Sequence, residues 1–272
     1  MRIMQRIGPL RNEARAETDG EASRHTSDAS LRRRLDGHVN SILHMRRADF
    51  VLRQNEDNSF VPKFRAEDEI AHMQGNARLR EAENISMIAL LPKKTMQDEA
   101  IGALFYLANE IQESVSAAGF HGIGIILRDG DPCTRDKAFG ILGSNVMMDY
   151  RKIFNPNRDY DAELAALKET TPNGLGNGSE FQIRSQRMYE PIAIRELEQS
   201  RGRTGKFLSG LLGSDNTKLD SSIWDLIETA MNSPRPEIQK VGQEMVDLAM
   251  QSSNAVVSYK ANRLNDTAAV RD

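Results

Sequence analysis

Two short segments that are apolar almost throughout, Ile85–Leu91 and Phe120–Leu127, constrain this chain most. A run of seven or eight residues without a polar face has to be covered from both sides, which is the pattern of a buried strand. Pro92 and the two lysines after it turn the chain. Thr95 then suits a helix N-cap, with Asp98 at the capping-box distance. Between the runs, Ala100, Leu104, Leu107, Ile111, Val115 and Ala118 recur at three- and four-residue steps, the stripe of a core-facing helix. Gly119 stands where a left-handed C-terminal residue belongs. Arg128-Asp-Gly-Asp-Pro closes the second run, and a helix is predicted from about Thr134 to Phe154. Strand, helix, strand, helix predicts a βαβ unit with parallel pairing and a right-handed crossover.

Upstream, the β-favouring runs Asp49–Arg53 and Ser59–Phe64 flank the polar turn 55–58 and predict a hairpin, with Pro62 confining its second strand to an edge. A helix is expected over Ala66–Glu83. Downstream of residue 154 the pattern is helical: Asp161–Thr170, Glu180–Gln199 with an interruption near Pro191, Lys206–Leu212, Asp220–Asn232 and Pro236–Asn262. The expected fold class is thus mixed α/β (α+β), a small βαβ-containing core over about 49–154 followed by a mostly helical C-terminal half. In domain terms, residues 1–38 read as a disordered Arg/Ser-rich arm, 39–170 as the core, 171–179 as a Gly/Asn-rich linker, 180–264 as the helical region and 265–272 as a frayed tail.

Composition limits the functional classes. One cysteine, Cys133, excludes an intramolecular disulfide and a zinc site of four cysteines, and points to a reducing compartment such as the cytoplasm, a host cytoplasm or a virion. The apolar runs fall short of the ~20 residues of a membrane helix, so no transmembrane segment is expected, and the N-terminus does not read as a secretory signal. No H-E-x-x-H spacing joins the five histidines, and no metal or cofactor is expected. Residues 1–48 carry ten arginines, no lysine and six acids, a net of +4, which leaves −7 on the rest of a chain whose net charge is −3. This is the distribution of a basic arm on an acidic body.

Two sets of residues are candidates for function. Asp129 and Asp131 would follow a buried strand, where α/β folds bind ligands. Cys133 would start the next helix, where the dipole activates a thiol, and His121 could complete a dyad with it. The same residues also read as a turn with a capped helix. The second set is basic: Arg32, Arg33 and Arg34, then Arg46 and Arg47, then Arg201, Arg203 and Lys206 in the segment Ser-Arg-Gly-Arg-Thr-Gly-Lys-Phe. That segment lacks the first glycine and the final hydroxyl of a nucleotide-binding phosphate loop, so nucleotide hydrolysis is rejected. A flexible basic loop there could still wrap phosphates with arginine forks.

The resulting expectation is a non-enzymatic binding and assembly protein, of the kind that a viral RNA-associated or structural protein represents. It would contact RNA or another polyanion through the basic residues, and itself or a protein partner through the helical C-terminal half. One alternative is a secreted bacterial effector acting by protein–protein interaction, its polar leader suited to export unfolded. The other is an α/β enzyme using the Asp129/Asp131 loop.

Overall fold

Helices, not strands, form the core of this protein. The computed structural model describes residues 27–44, 50–54, 60–64, 67–150, 153–155, 157–170 and 177–269. In chain order these are α1 (Asp28–His44), β1 (Phe50–Gln54), β2 (Phe60–Phe64), α2 (Glu67–Ala89), α3 (Lys94–Ala108), α4 (Glu113–Asp129) and α5 (Pro132–Val146). They are followed by α6 (Tyr160–Thr170), α7 (Asn177–Ser209), α8 (Thr217–Met231), α9 (Pro236–Met250) and α10 (Ala255–Ala269). The sheet among the described residues is a single antiparallel pair, with Phe50 opposite Phe64 and Leu52 opposite Pro62.

The expected mixed α/β core is therefore overturned, and the architecture is all-α with one small hairpin among the described residues. Ile85–Leu91 is the end of α2 and the turn after it, and Phe120–Leu127 lies inside α4. The reason is packing from several sides. Helix α2 packs on α1, α3 and α4. Ala82, Ile85, Ile88 and Ala89 are all buried, a three- and four-residue rhythm that a strand does not have. A short apolar run cannot by itself separate a buried strand from a buried helix.

The single helix expected between the runs is two, broken at 109–112. Ser116 Oγ donates to Ala108 O at 2.7 Å, satisfying a carbonyl that the end of α3 leaves free. Gly119 is no helix terminus. It sits inside α4, where a Cβ would collide with Ala108 N and lie 2.7 Å from Leu104 O. Its role is the close approach of α3 and α4. Lys93, not Thr95, is the N-cap of α3.

Of the expected arm, residues 1–26 lie outside the described residues, and the rest is helical from Asp28. Residues 28–38 belong to α1, whose Leu31, Leu35 and Ile42 are buried. The arginine run 32–34 occupies the exposed face between them, which makes the segment look uniformly polar in sequence. Arg78 of α2, 4% exposed, locks this helix down. Its Nε donates to Ile42 O at 3.1 Å near the C-terminus of α1, and its Nη1 donates to Ser114 Oγ at 2.9 Å at the start of α4. Burial pulls its pKa below the usual arginine value.

The chain divides into two compact units between Gly140 and Ile141, inside α5 and well before the Gly/Asn-rich segment. In the second unit α9 packs on α7, α8 and α10. The helix expected over 236–262 is two helices. Asn254 Oδ1 accepts from Val256 N at 3.0 Å and caps α10. Gly213, at φ +77°, turns the chain against the Asn254 side chain, a conformation that favours glycine. Residues 265–269 continue α10 rather than fraying, and Asn177 and Gly178 of the expected linker start α7, while 171–176 lie outside the described residues.

The Gly119 contact yields a paired prediction. Gly119→Ala lowers unfolding stability by about 1–3 kcal/mol through overpacking. Gly102→Ala, exposed on α3 with nothing within 4 Å of its Cβ, raises it by up to about 1 kcal/mol through helix propensity. Denaturant titration of both variants is the check, and equal effects contradict the packing argument.

Candidate assembly surface

Helix α7 changes character along its 33 residues. Its last turns are built into the second unit. Ser200, Arg201, Thr204, Gly205, Leu208 and Ser209 are all buried. Asn145 of α5 donates through Nδ2 to Ser200 Oγ at 2.9 Å and to Thr204 Oγ1 at 2.7 Å. On another face, a Cβ at Gly205 would lie 3.0 Å from Val241 Cγ1 and 3.1 Å from Met245 Cγ of α9. The segment Ser200–Phe207 is thus a helical packing surface and not the flexible loop expected; Gly205 serves close approach, whereas Gly202 faces open space. Between them and Val241, Met245 and Leu248 lies an open groove of about 330 Å³, also lined by Lys206 and Glu244.

Arg201 is the least expected side chain here, 1% exposed. Its Nη2 donates to Met148 O, while Nε and Nη1 are buried without a hydrogen-bond partner. Burial lowers its pKa, opposed by the charges of Glu237 and Glu198. An arginine in this position orders the interior and cannot reach a polyanion in solvent. Nearby, Arg235 pairs with Asp149 at 2.7 Å.

The earlier part of α7 is the opposite. Among the described residues, none from Asn157 to Gln199 is fully buried. Ile183, Glu190, Ile194 and Leu197 share one face and are half-buried, and α6 packs on α7. The opposite face carries Phe181 (72% exposed), Met188 (57%), Tyr189 (59%) and Ile192 (50%). Positions 181, 188 and 192, with Ser185 between, follow the alternating four- and three-residue spacing of a helix seam. Of the ion pairs here, Arg187 Nη1 to Asp161 at 2.6 Å is exposed and salt-screened and contributes little, while Arg158 Nε to Glu163 at 2.8 Å is half-buried. Pro191 stays within the helix, where it removes one backbone hydrogen bond.

The structure separates the sequence-predicted residues. Asp131 is the N-cap of α5: its Oδ1 accepts from Cys133 N at 2.8 Å and Thr134 N at 3.1 Å, and its Oδ2 accepts from Thr134 Oγ1 at 2.6 Å. The Thr134 hydroxyl, with the two backbone amides, holds this carboxyl below its ordinary value. Asp129, at the end of α4, takes Arg128 Nε and Nη2 at 3.1 Å each. Cys133 is exposed. His121 lies on α4, its Nε2 3.2 Å from Glu83 Oε1 of α2. The strand end that made this loop a ligand site does not exist, because both flanking elements are helices. Among the basic residues, Arg32 pairs with Glu99 of α3, its Nε donating to Oε2 at 2.9 Å, and this bond raises its pKa. Arg33 and Arg34 are exposed, Arg203 is half-buried and Lys206 is exposed. Arg46 and Arg47 lie outside the described residues.

Sequence reasoning missed the Phe181–Ile192 stripe. Its seven- and four-residue spacing was the available signal, hidden by the interruption expected at Pro191. Comparison with protein-family models, with curated proteins and with solved structures finds no match to this chain. Among the described residues no helix is long and apolar enough to cross a membrane, and no group of three His, Cys, Asp or Glu side chains is placed to hold a metal ion.

The Asp131 cap carries a pH signature. A carboxyl whose folded-state pKa is depressed stabilises above its unfolded pKa and loses that contribution as pH falls through the folded value. Asp131→Ala therefore destabilises by about 1 kcal/mol at pH 7, the usual worth of such a cap. Urea unfolding at a series of pH values should show the gap to the unsubstituted protein narrowing in acid below the ordinary aspartate range. A gap that does not change with pH contradicts the capping role.

Proposed function

We propose that this chain is a non-catalytic binding and assembly protein that joins polypeptides through the first part of α7. One observation carries the reading. Helices α6 and α7 up to residue 199 have no fully buried side chain among the described residues, yet α7 displays Phe181, Met188, Tyr189 and Ile192 to solvent. A helix gains most of its stability in a protein from covering an apolar face. Several exposed apolar side chains sharing one helix face mark an interaction site. In the Asp129–Cys133 segment Asp131 caps α5 and Asp129 pairs with Arg128, which favours the binding reading over the catalytic one.

Polyanion contact remains part of the proposal in a narrower form. Arg32 is committed to Glu99 and Arg201 to the interior, so RNA or another polyanion would meet Arg33 and Arg34 on the outer face of α1. Such contact would be electrostatic and salt-sensitive. A lone exposed thiol, Cys133, suits a reducing compartment, which we take to be the cytoplasm.

Photocrosslinking tests the assembly reading in the cell that makes the protein. p-Benzoylphenylalanine replacing Tyr189 should give discrete adducts, whereas the same group at Gln186, off the stripe, should give few. Adding Phe181→Ser and Ile192→Ser should reduce the Tyr189 adducts at least tenfold. Both positions are exposed, so unfolding stability should change by less than about 0.5 kcal/mol. Equal labelling from both positions, untouched by the two serines, contradicts the reading.

A further inference from the structure

The stripe on α7 has the properties of a surface made for its own copy. The four large side chains at 181, 188, 189 and 192 are each half or more exposed. On the scale of about 150–250 Å² for a buried aromatic, they offer roughly 500 Å² per chain. Two copies set face to face would remove about 1,000 Å² in total, the size at which a specific interface becomes plausible. Positions 181, 185, 188, 189 and 192 carry no charge, and the flanks carry both signs: Glu180, Arg184, Arg187, Glu190, Arg195 and Glu196.

Direction follows from side-chain size and charge. In a parallel pair each residue meets itself. Phe181 would face Phe181 and Ser185 would face Ser185, so one layer is overfilled and the next is empty. Arg195, the next position along the seam, would face Arg195. In an antiparallel pair whose two-fold axis passes between Ser185 and Met188, Phe181 meets Ile192 and Ser185 meets Met188. Large and small side chains then alternate across the contact. The two-fold axis sets each flank of the seam against the same flank of the other copy, so Arg184 falls near Pro191 and Tyr189 near Gln182. No like charges are opposed. A contact that uses the same patch on both chains closes on itself and ends at a dimer.

We infer that the occupant of this surface is a second copy of the chain, docked antiparallel through Phe181–Ile192 about a two-fold axis. The inference rests on the assembly reading above. Its test is disulfide mapping on the full chain in a Cys133→Ser background, since the native thiol is exposed. Phe181→Cys and Ile192→Cys proteins, separately and mixed, are oxidised and scored for dimers on non-reducing gels. The antiparallel pair predicts cross-linking in the mixture at least fivefold above either protein alone. Dimers from Phe181→Cys alone at the yield of the mixture show a parallel pair and overturn the inference while leaving assembly intact. A chain that sediments as a monomer at all concentrations also overturns it; if Tyr189 still crosslinks in the cell, the partner is a different protein. Thermal unfolding of each cysteine variant, expected within a few degrees of the parent, shows that a negative result is not misfolding.

Discussion

An amphipathic helix is stable in water only when something covers its apolar stripe, and several of the described helices meet that condition from within. Helix α2 is covered by α1, α3 and α4, and α9 by α7, α8 and α10. The contacts are tight enough to demand small residues at the crossings. Gly119 admits the backbone of α3, and Gly205 admits Val241 and Met245. Against that background the first two-thirds of α7 stand out, because the same chain that buries Ile85, Leu104 and Met245 completely leaves Phe181 at 72% exposure.

Polar side chains in the interior serve the same packing. Arg78 fastens the end of α1 to the start of α4, and Arg201 reaches the Met148 carbonyl. Both are arginines whose pKa is lowered by burial. Arginine tolerates this better than lysine, being more weakly hydrated and always charged. Among the described residues arginine thus serves both as an internal brace, at Arg78 and Arg201, and on exposed faces such as those of α1 and α7.

The helical character of the C-terminal half was legible from its three- and four-residue rhythm, but the helix breaks were not: 200–205 is helix, and the single helix expected over 236–262 is two. The central core was not legible either. Ile85–Leu91 and Phe120–Leu127 are covered on several sides, so they lack the polar face that marks a helix in sequence. The small residues Ser116, Gly119 and Gly122 on α4 were the counter-signal, since their three-residue spacing places them on one helical face. The glycines of Ser200–Phe207 misled in the same way: Gly205 suggests a loop until Val241 and Met245 fill the space beside it. At Asp131 the modest reading, a helix cap, is the one the geometry carries.

Hydrogen–deuterium exchange of the full chain across a hundredfold range of protein concentration tests the central claim most directly. Amides of 177–199 should become more protected as concentration rises, while those of 200–209, already packed on α5 and α9, stay constant. Exchange in 177–199 that is independent of concentration and fast throughout, with no mass change in solution, would contradict self-assembly through this surface.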